Sequence, residues 1–320
     1  MKTRSFVAAA ALAAAACQAA GQGFPTRPVT LISPFPPGGS TDTTARIIAE
    51  RMRAPLGQSV VVENVGGAGG TIGVGRVARA APDGYTLDIG QWDTHVGNII
   101  FPLNYDLQKD FEPIGLMTIN PQVVLARKEL PADDLKGLVA WMKANPGKAT
   151  LVDQNAAAKL GGIQLQQSTG TKLEFIPFRG AGPAMQAMLG QQVDLMIVQT
   201  AVVMPQARAG NVKILANLSP KRSQVVPEIP TSDESGVPGF YAAGWFGLFA
   251  PKGTPKEIIA RLNAAMVEAL GDATVQKRFA DLGLDIASRE QQTPEGLAAY
   301  HKAEIDKWWP VIKAANIKVE

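Results

Sequence analysis

The chain has 320 residues, 46% of them hydrophobic and 18% charged, with a formal net charge of +3 at pH 7. That balance belongs to a compact folded protein long enough for two cored domains, and it excludes an extended disordered chain. A nearly neutral surface gives no electrostatic basis for a nucleic acid or an acidic membrane as partner.

Lys2 and Arg4 precede an alanine-rich apolar run from Phe6 to Ala16, and small residues follow through Ala20 and Gly21. A basic start, a short apolar stretch and a small-residue end form the pattern of a secretory signal peptide over residues 1–22, with cleavage expected between Ala19 and Gln22. The run is too short to span a bilayer as a helix. Cys17 is the only cysteine and lies in this segment, so the mature chain is expected to have no disulfide. The alternative is a lipoprotein-type cleavage with lipid anchoring at Cys17, although the usual leucine ahead of the small residues is missing. Loss of Lys2 and Arg4 takes the formal charge from +3 to +1.

Residues 29–35 read as a short apolar strand, broken at Pro36-Pro37-Gly38-Gly39. Ser40 or Thr41 is in position to cap a helix over residues 42–53. In that helix Ile47, Ile48 and Met52 share one face, while Arg46, Glu50 and Arg53 can face solvent. A glycine-rich turn at the carboxyl end of a strand, feeding a helix amino terminus, gathers free backbone N–H groups and the positive end of the helix dipole. Such a site suits an anion. The same residue types also punctuate ordinary surface loops.

Residues 59–65 read as the next strand, followed by a second glycine-rich loop at 66–73 and a helix over 74–80. Pro82-Asp83-Gly84 is a turn, and 85–89 a strand. Short apolar strands are expected at 114–116 and 122–126. A helix over 133–144 has Leu135, Leu138, Val139 and Met142 at helical spacing. Strands at 149–152, 175–178, 193–198 and 212–217 enclose helices at 161–168 and 183–189. A strand at 246–250 and helices at 255–270, 273–282 and 295–315 close the chain. Strands alternating with helices predict an α/β fold of mostly parallel, helix-covered sheets.

Catalytic groups are scarce. The two histidines are His95 and His301, and His301 reads as a solvated side chain of the last helix. Neither His-Glu-x-x-His nor Cys-x-x-Cys occurs, and G-x-S-x-G and the P-loop pattern are absent as well, so no metal or cofactor is called for. A Ser-His-Asp triad around His95 stays open, because its partners need not be local. Gly67-x-Gly69-x-x-x-Gly73 resembles a variant dinucleotide fingerprint. Against it, Asp88 lies inside the following strand and not at its end, and an exported chain does not normally meet soluble nicotinamide cofactors. The reading is therefore of a binding protein and not an enzyme, with an exported hydrolase or a dinucleotide-dependent oxidoreductase as alternatives.

Residues 25–42, from Pro25-Thr26-Arg27-Pro28 to Ser40-Thr41-Asp42, resemble the opening of the Bug-type solute receptors, the periplasmic binding proteins of tripartite tricarboxylate transporters. The likeness continues through Val62 to Gly73, Pro82 to Leu87, Tyr105 to Pro113, Phe178 to Ala184, Gly190 to Asp194, Pro227 to Thr231 and Trp245 to Pro251, in order. It implies a two-lobed periplasmic binding protein fold of type II-like form, with the ligand in the cleft between the lobes. The first lobe would comprise residues 23–122 and 245–320, the second residues 123–244, with closure about two crossings at 121–124 and 244–246. It also implies a monomeric periplasmic receptor that captures a small carboxylate and passes it to a membrane transporter with one large and one small integral subunit.

Residue by residue, the resemblance places one carboxylate on Phe35, Pro36, Gly38, Gly39, Ser40, Thr41 and Asp42 and on the Ala68-Gly69 turn, mainly through backbone groups and water. Asp42 takes a structural or water-orienting part. Glycine at 39 and 69 would permit conformations or approaches that other residues resist. The far end of the ligand would meet Gln91, Trp92, Thr94, Gln154, Asn155, Arg179 and Gln199. The chain departs from the family there, with Asp153-Gln-Asn-Ala-Ala-Ala-Lys159 where many relatives have Gly-x-Gly-Ser and then His, and Arg179 where Lys is common. Arg179 can grip a second carboxylate in two-pronged fashion, and Trp92 with Ala156 to Ala158 can form a flat apolar wall. Together they favour an aromatic or dicarboxylic acid, such as terephthalate. The alternative is structural for both, Arg179 in an ion pair and Trp92 in the core.

Overall fold

The structure is a computed structural model that describes residues 23–120, 122–242 and 244–314. The expected signal segment with Cys17, Pro121 at the first crossing and Ala315 at the end of the last expected helix lie outside the described residues. The chain begins with β1 (Val29–Ser33), α1 (Ser40–Leu56), β2 (Val60–Asn64), α2 (Thr71–Ala78) and β3 (Thr86–Gln91). β1 pairs in parallel with β2 on one side and β3 on the other. Leu31 and Ile32 are both fully buried, because a central parallel strand has a covered face on each side. Helix α1 buries Ile47, Ile48 and Met52 against this sheet and stops at Gly57, whose φ of +73° lets its N–H reach back to Arg53 and Ala54.

A short helix, α3 (Trp92–His95), and the long strand β4 (Phe111–Ile119) follow. The chain then enters a second sheet through β5 (Gln122–Arg127), α4 (Leu135–Ala144), β6 (Ala149–Asp153), α5 (Ala156–Thr169), β7 (Leu173–Pro177), α6 (Ala181–Leu189), β8 (Leu195–Gln199), α7 (Thr200–Arg208) and β9 (Val212–Asn217). It returns on β10 (Trp245–Pro251) and ends with α8 (Lys256–Gly271), α9 (Ala273–Asp281), β11 (Asp285–Ile286) and α10 (Pro294–Ala314). The six-stranded sheet has the order β11-β4-β10-β3-β1-β2, and the five-stranded sheet the order β7-β6-β8-β5-β9.

Both sheets are mixed, which corrects the expectation of mostly parallel ones. β10 runs antiparallel to β3 and β4, and β5 antiparallel to β8 and β9. A chain that leaves a sheet on one strand and comes back on its neighbour must lay those two strands in opposite directions. Helix α7, with Pro205 inside it, fills a stretch between β8 and β9 to which the sequence assigned no element.

The two passes touch where they cross. The Asn120 N–H donates to the Gly244 carbonyl at 2.7 Å, and a Cβ on residue 244 would lie 1.7 Å from the Asn120 oxygen. Beyond the crossing the lobes also meet through side chains. Ala156, Ala157 and Leu160 of α5 belong to the same buried cluster as Trp92, Val96 and Trp308. Gly244→Ala is expected to lower stability by about 1–3 kcal/mol through overpacking, read as a fall in melting temperature. An unchanged melting temperature would mean that the two passes can separate without penalty.

Candidate ligand cleft

The first glycine-rich loop is held by a brace of polar side chains. Asp42 Oδ2 accepts from the Gly38 N–H at 3.0 Å, and Asp42 Oδ1 from Asn64 Nδ2 at 2.9 Å. The same Asn64 nitrogen donates to the Phe35 carbonyl at 3.0 Å, and Arg46 closes an i,i+4 ion pair on Asp42 at 2.8 Å. Burial raises the Asp42 carboxyl, but the bonds from Arg46, Gly38 and Asn64 outweigh it and hold the pKa below the usual carboxylate value. Asp42 therefore shapes the loop. Gly38, at φ +85°, is the residue that requires glycine. Gly39 is extended, and a Cβ there would make only an ordinary contact, 3.9 Å from the Pro36 carbonyl, so the requirement expected at Gly39 falls one residue earlier.

Neither Ser40 nor Thr41 caps α1. The N-cap is Gly39, without a side-chain bond. Helix geometry leaves the first N–H groups without intrahelical partners, and here Ser40 and Thr41 line a cavity between the lobes. The Ser40 hydroxyl reaches across to Gln199 Oε1. Gln199 Nε2 in turn donates to Gln91 Oε1 at 3.0 Å. Three side chains from two lobes thus bridge the cleft.

The cavity takes Phe35, Pro36, Gly39, Ser40, Thr41 and Gln91 from the first lobe, and Asn155, Gly180, Ala181, Val198 and Gln199 from the second. Its volume is about 20 Å³, room for about one water, whereas ligand clefts usually run to roughly 300 Å³ or more. The lobes stand closed, with the bridging amides lining the small cavity between them. Gln122 also lines the cavity and was missed in the sequence. It is 1% exposed, and its Oε1 has no hydrogen-bond partner among the described residues. One signal was available, a polar residue opening an otherwise apolar strand.

The second glycine-rich loop serves packing. Ala68, Gly69 and Gly70 all have positive φ, and a Cβ on residue 69 would stand 2.5 Å from the Phe101 ring. Gly73 lets α2 approach the end of β2, its own missing Cβ being 2.6 Å from the Val65 carbonyl. Ala68 and Gly69 do not line the closed cavity. The glycine spacing therefore has a steric cause. Asp88 is wholly buried, out of reach of a ribose.

The expected far-end residues separate. Asn155 lines the cleft and caps α5, its Oδ1 accepting from the Ala158 N–H at 2.9 Å. Gln154 turns inward, donating to the Ile197 carbonyl at 2.8 Å. Thr94 is buried beneath the Gly70 turn, and its hydroxyl lies 3.1 Å from His95 Nδ1. Trp92 is 2% exposed and packs edge-on against Trp308, ring centres 5.3 Å apart. It is a core residue and not a wall of the cleft, because α5 and α10 cover it. Arg179 is exposed and lies outside the lining, although the adjacent Gly180 belongs to it.

The histidines form a buried polar cluster. His95 Nε2 lies 3.4 Å from Asp88 Oδ2, both side chains being inaccessible. His301 is also buried, against the expectation of a solvated side chain, with Nε2 bonded 2.8 Å from the His95 carbonyl. Burial holds Asp88 well above and His95 well below their usual pKa values, favouring the neutral form of each. Stacked on Phe249 at 4.2 Å, His95 has no path to a substrate.

Residues 44–317 match the family described as "Tripartite tricarboxylate transporter family receptor". BugT of Bordetella pertussis is 37% identical over 320 residues, covering 98% of this chain and 96% of that protein. Among solved structures, malate-bound MatC of Rhodopseudomonas palustris is 40% identical with a TM-score of 0.85, over 90% of this chain and all of that one. An adipate-bound protein of the same organism is 31% identical with a TM-score of 0.87, over 92% of this chain and 99% of the other.

The loop brace has a pH signature. A carboxylate with a lowered folded-state pKa adds stability above the ordinary carboxylate range, near about 4, and loses it as the pH falls through the folded value. Asp42→Ala is expected to cost about 1–3 kcal/mol at neutral pH, with the gap to wild type shrinking in acid. Denaturant unfolding measures it, and equal stabilities at neutral pH would remove Asp42 as the brace.

Proposed function

The chain belongs to the tripartite tricarboxylate transporter receptor family, and from that premise we propose that it captures a small carboxylate between its lobes. One observation carries this reading. The start of α1, with its unbonded N–H groups and positive dipole end, faces a closed interlobe cavity. The related proteins that hold malate and adipate support a carboxylate as the ligand class. The contact set comprises Phe35, Pro36, Gly39, Ser40, Thr41, Gln91, Asn155 and Gln199, joined by Gln122.

Binding without chemistry fits the lining. The one activated-looking hydroxyl, Ser40, meets a glutamine amide oxygen, which cannot take its proton as a general base does. Export follows from the leader pattern of residues 1–22, which gives the receptor a periplasmic location. Membership of the family supports delivery to a membrane transporter. Residues 23–122 and 245–320 move against 123–244, hinging where Asn120 and Gly244 touch, so that the bridging amides part and the ligand enters.

Calorimetry with a panel of small carboxylic acids tests the receptor reading, and conversion of any bound acid during the titration would reject it. Gly38→Val forces a β-branched residue into a positive-φ position. It is expected to weaken every bound acid by roughly tenfold, without changing their order. A changed order would move the shared carboxylate site elsewhere.

A further inference from the structure

We infer that Asp93 reaches from the first lobe to fill the amino end of α5 in the second, so that the cleft selects a monocarboxylate with a neutral hydrogen-bonding far end over a dicarboxylate of equal length. The inference rests on the carboxylate-receptor reading above. Asp93 is wholly buried, and its Oδ1 accepts from the Ala157 N–H at 2.8 Å across the lobe interface. Asn155 takes the Ala158 N–H of the same turn. The positive end of a 14-residue helix, beside the cleft residue Asn155, thus already holds a carboxylate belonging to the protein. Gly97 makes the approach possible, since a Cβ there would stand 2.8 Å from the Ala156 methyl.

The second lobe has little else for a second ligand carboxylate. Among the described residues no Lys or Arg lines the cavity. Lys159 of α5 is paired with Asp153 at 2.8 Å, and Arg179 is exposed outside the lining. Asp93 Oδ2 is buried without a hydrogen-bond partner among the described residues, so its charge, although outside the cavity lining, is not neutralised locally and opposes a second carboxylate held near Asn155. The far end presents amides instead. Gln122 Oε1, buried and unsatisfied, calls for a donor. A ligand amide or hydroxyl supplies one, and a carboxylate cannot.

Calorimetry at about pH 8, where Asp93 with a pKa raised by burial to about 7 is ionised, compares matched pairs. Adipate is set against its monoamide, and terephthalate against its monoamide. Wild type is expected to bind at least one monoamide, and to bind it roughly tenfold or more tighter than its diacid. Asp93→Asn keeps an oxygen for the Ala157 N–H and removes the charge, so it should shrink that preference at least about fivefold. Gln122→Ala should shrink it as well, through loss of the acceptor. Wild-type preference for the diacid, or equal affinity within each pair, overturns the inference and leaves the receptor reading intact. A folded Asp93→Asn protein with the wild-type ratio also overturns it. If that variant does not fold, the wild-type ratios decide alone. Binding of none of the four acids overturns the inference, while the receptor reading is decided by the wider panel of acids.

Discussion

Two backbone passes between the sheets, locked against each other at Asn120 and Gly244, set the terms for the rest of the molecule. The Asn120 N–H bonds the Gly244 carbonyl at 2.7 Å, and the backbones lie too close for any side chain at residue 244. Because β4 leaves and β10 returns beside it, the pair is antiparallel and both sheets become mixed. The same crossing brings the ends of β1, β3 and β8 to one cleft. Gln122, the first residue of the strand beyond the crossing, consequently lines that cleft.

Within the cleft the polarity is divided. The first lobe contributes a helix start whose N–H groups are free because its cap is a glycine without a side-chain acceptor. The second lobe contributes a helix start whose N–H groups are taken, by Asn155 from within and by Asp93 from across the interface. Two helices aimed at one cavity therefore differ in their appetite for an anion, although the dipole argument treats them alike. Between them Ser40, Gln91 and Gln199 satisfy one another. These three side chains are thereby satisfied in the closed cleft, and parting the lobes breaks the bonds that join Gln199 to Ser40 and Gln91.

The buried line of Asp88, His95 and His301 is a separate matter. It includes a fully enclosed acid, and burial favours its neutral form. The cluster sits between the sheet and α10, ringed by Phe111, Trp245 and Phe249. His301 ties α10 to the end of α3 through the His95 carbonyl. By fixing α3 it also fixes the base from which Asp93 reaches α5, so a group with no access to ligand bears on the shape of the cleft.

The sequence by itself determined what depends on near neighbours. The apolar face of α1, with Ile47, Ile48 and Met52, was readable because helical periodicity is local. The two glycine-rich loops were readable because positive φ at Gly38 and Gly69 limits the residue choice in place. Tertiary structure alone decided where the faces went. The sequence left Trp92 open between a ligand wall and a core residue, and packing against α5 and α10 makes it core. The Ser40–Gln199 and Asp93–Ala157 contacts join residues 159 and 64 positions apart. They exist only once two separately folded sheets are docked at a particular angle. No local propensity encodes that angle. It comes from the crossing at Gly244 and the packing of α5 on the first lobe, and with it come the antiparallel pairings, the role of Gln122 and the polarity of the cleft.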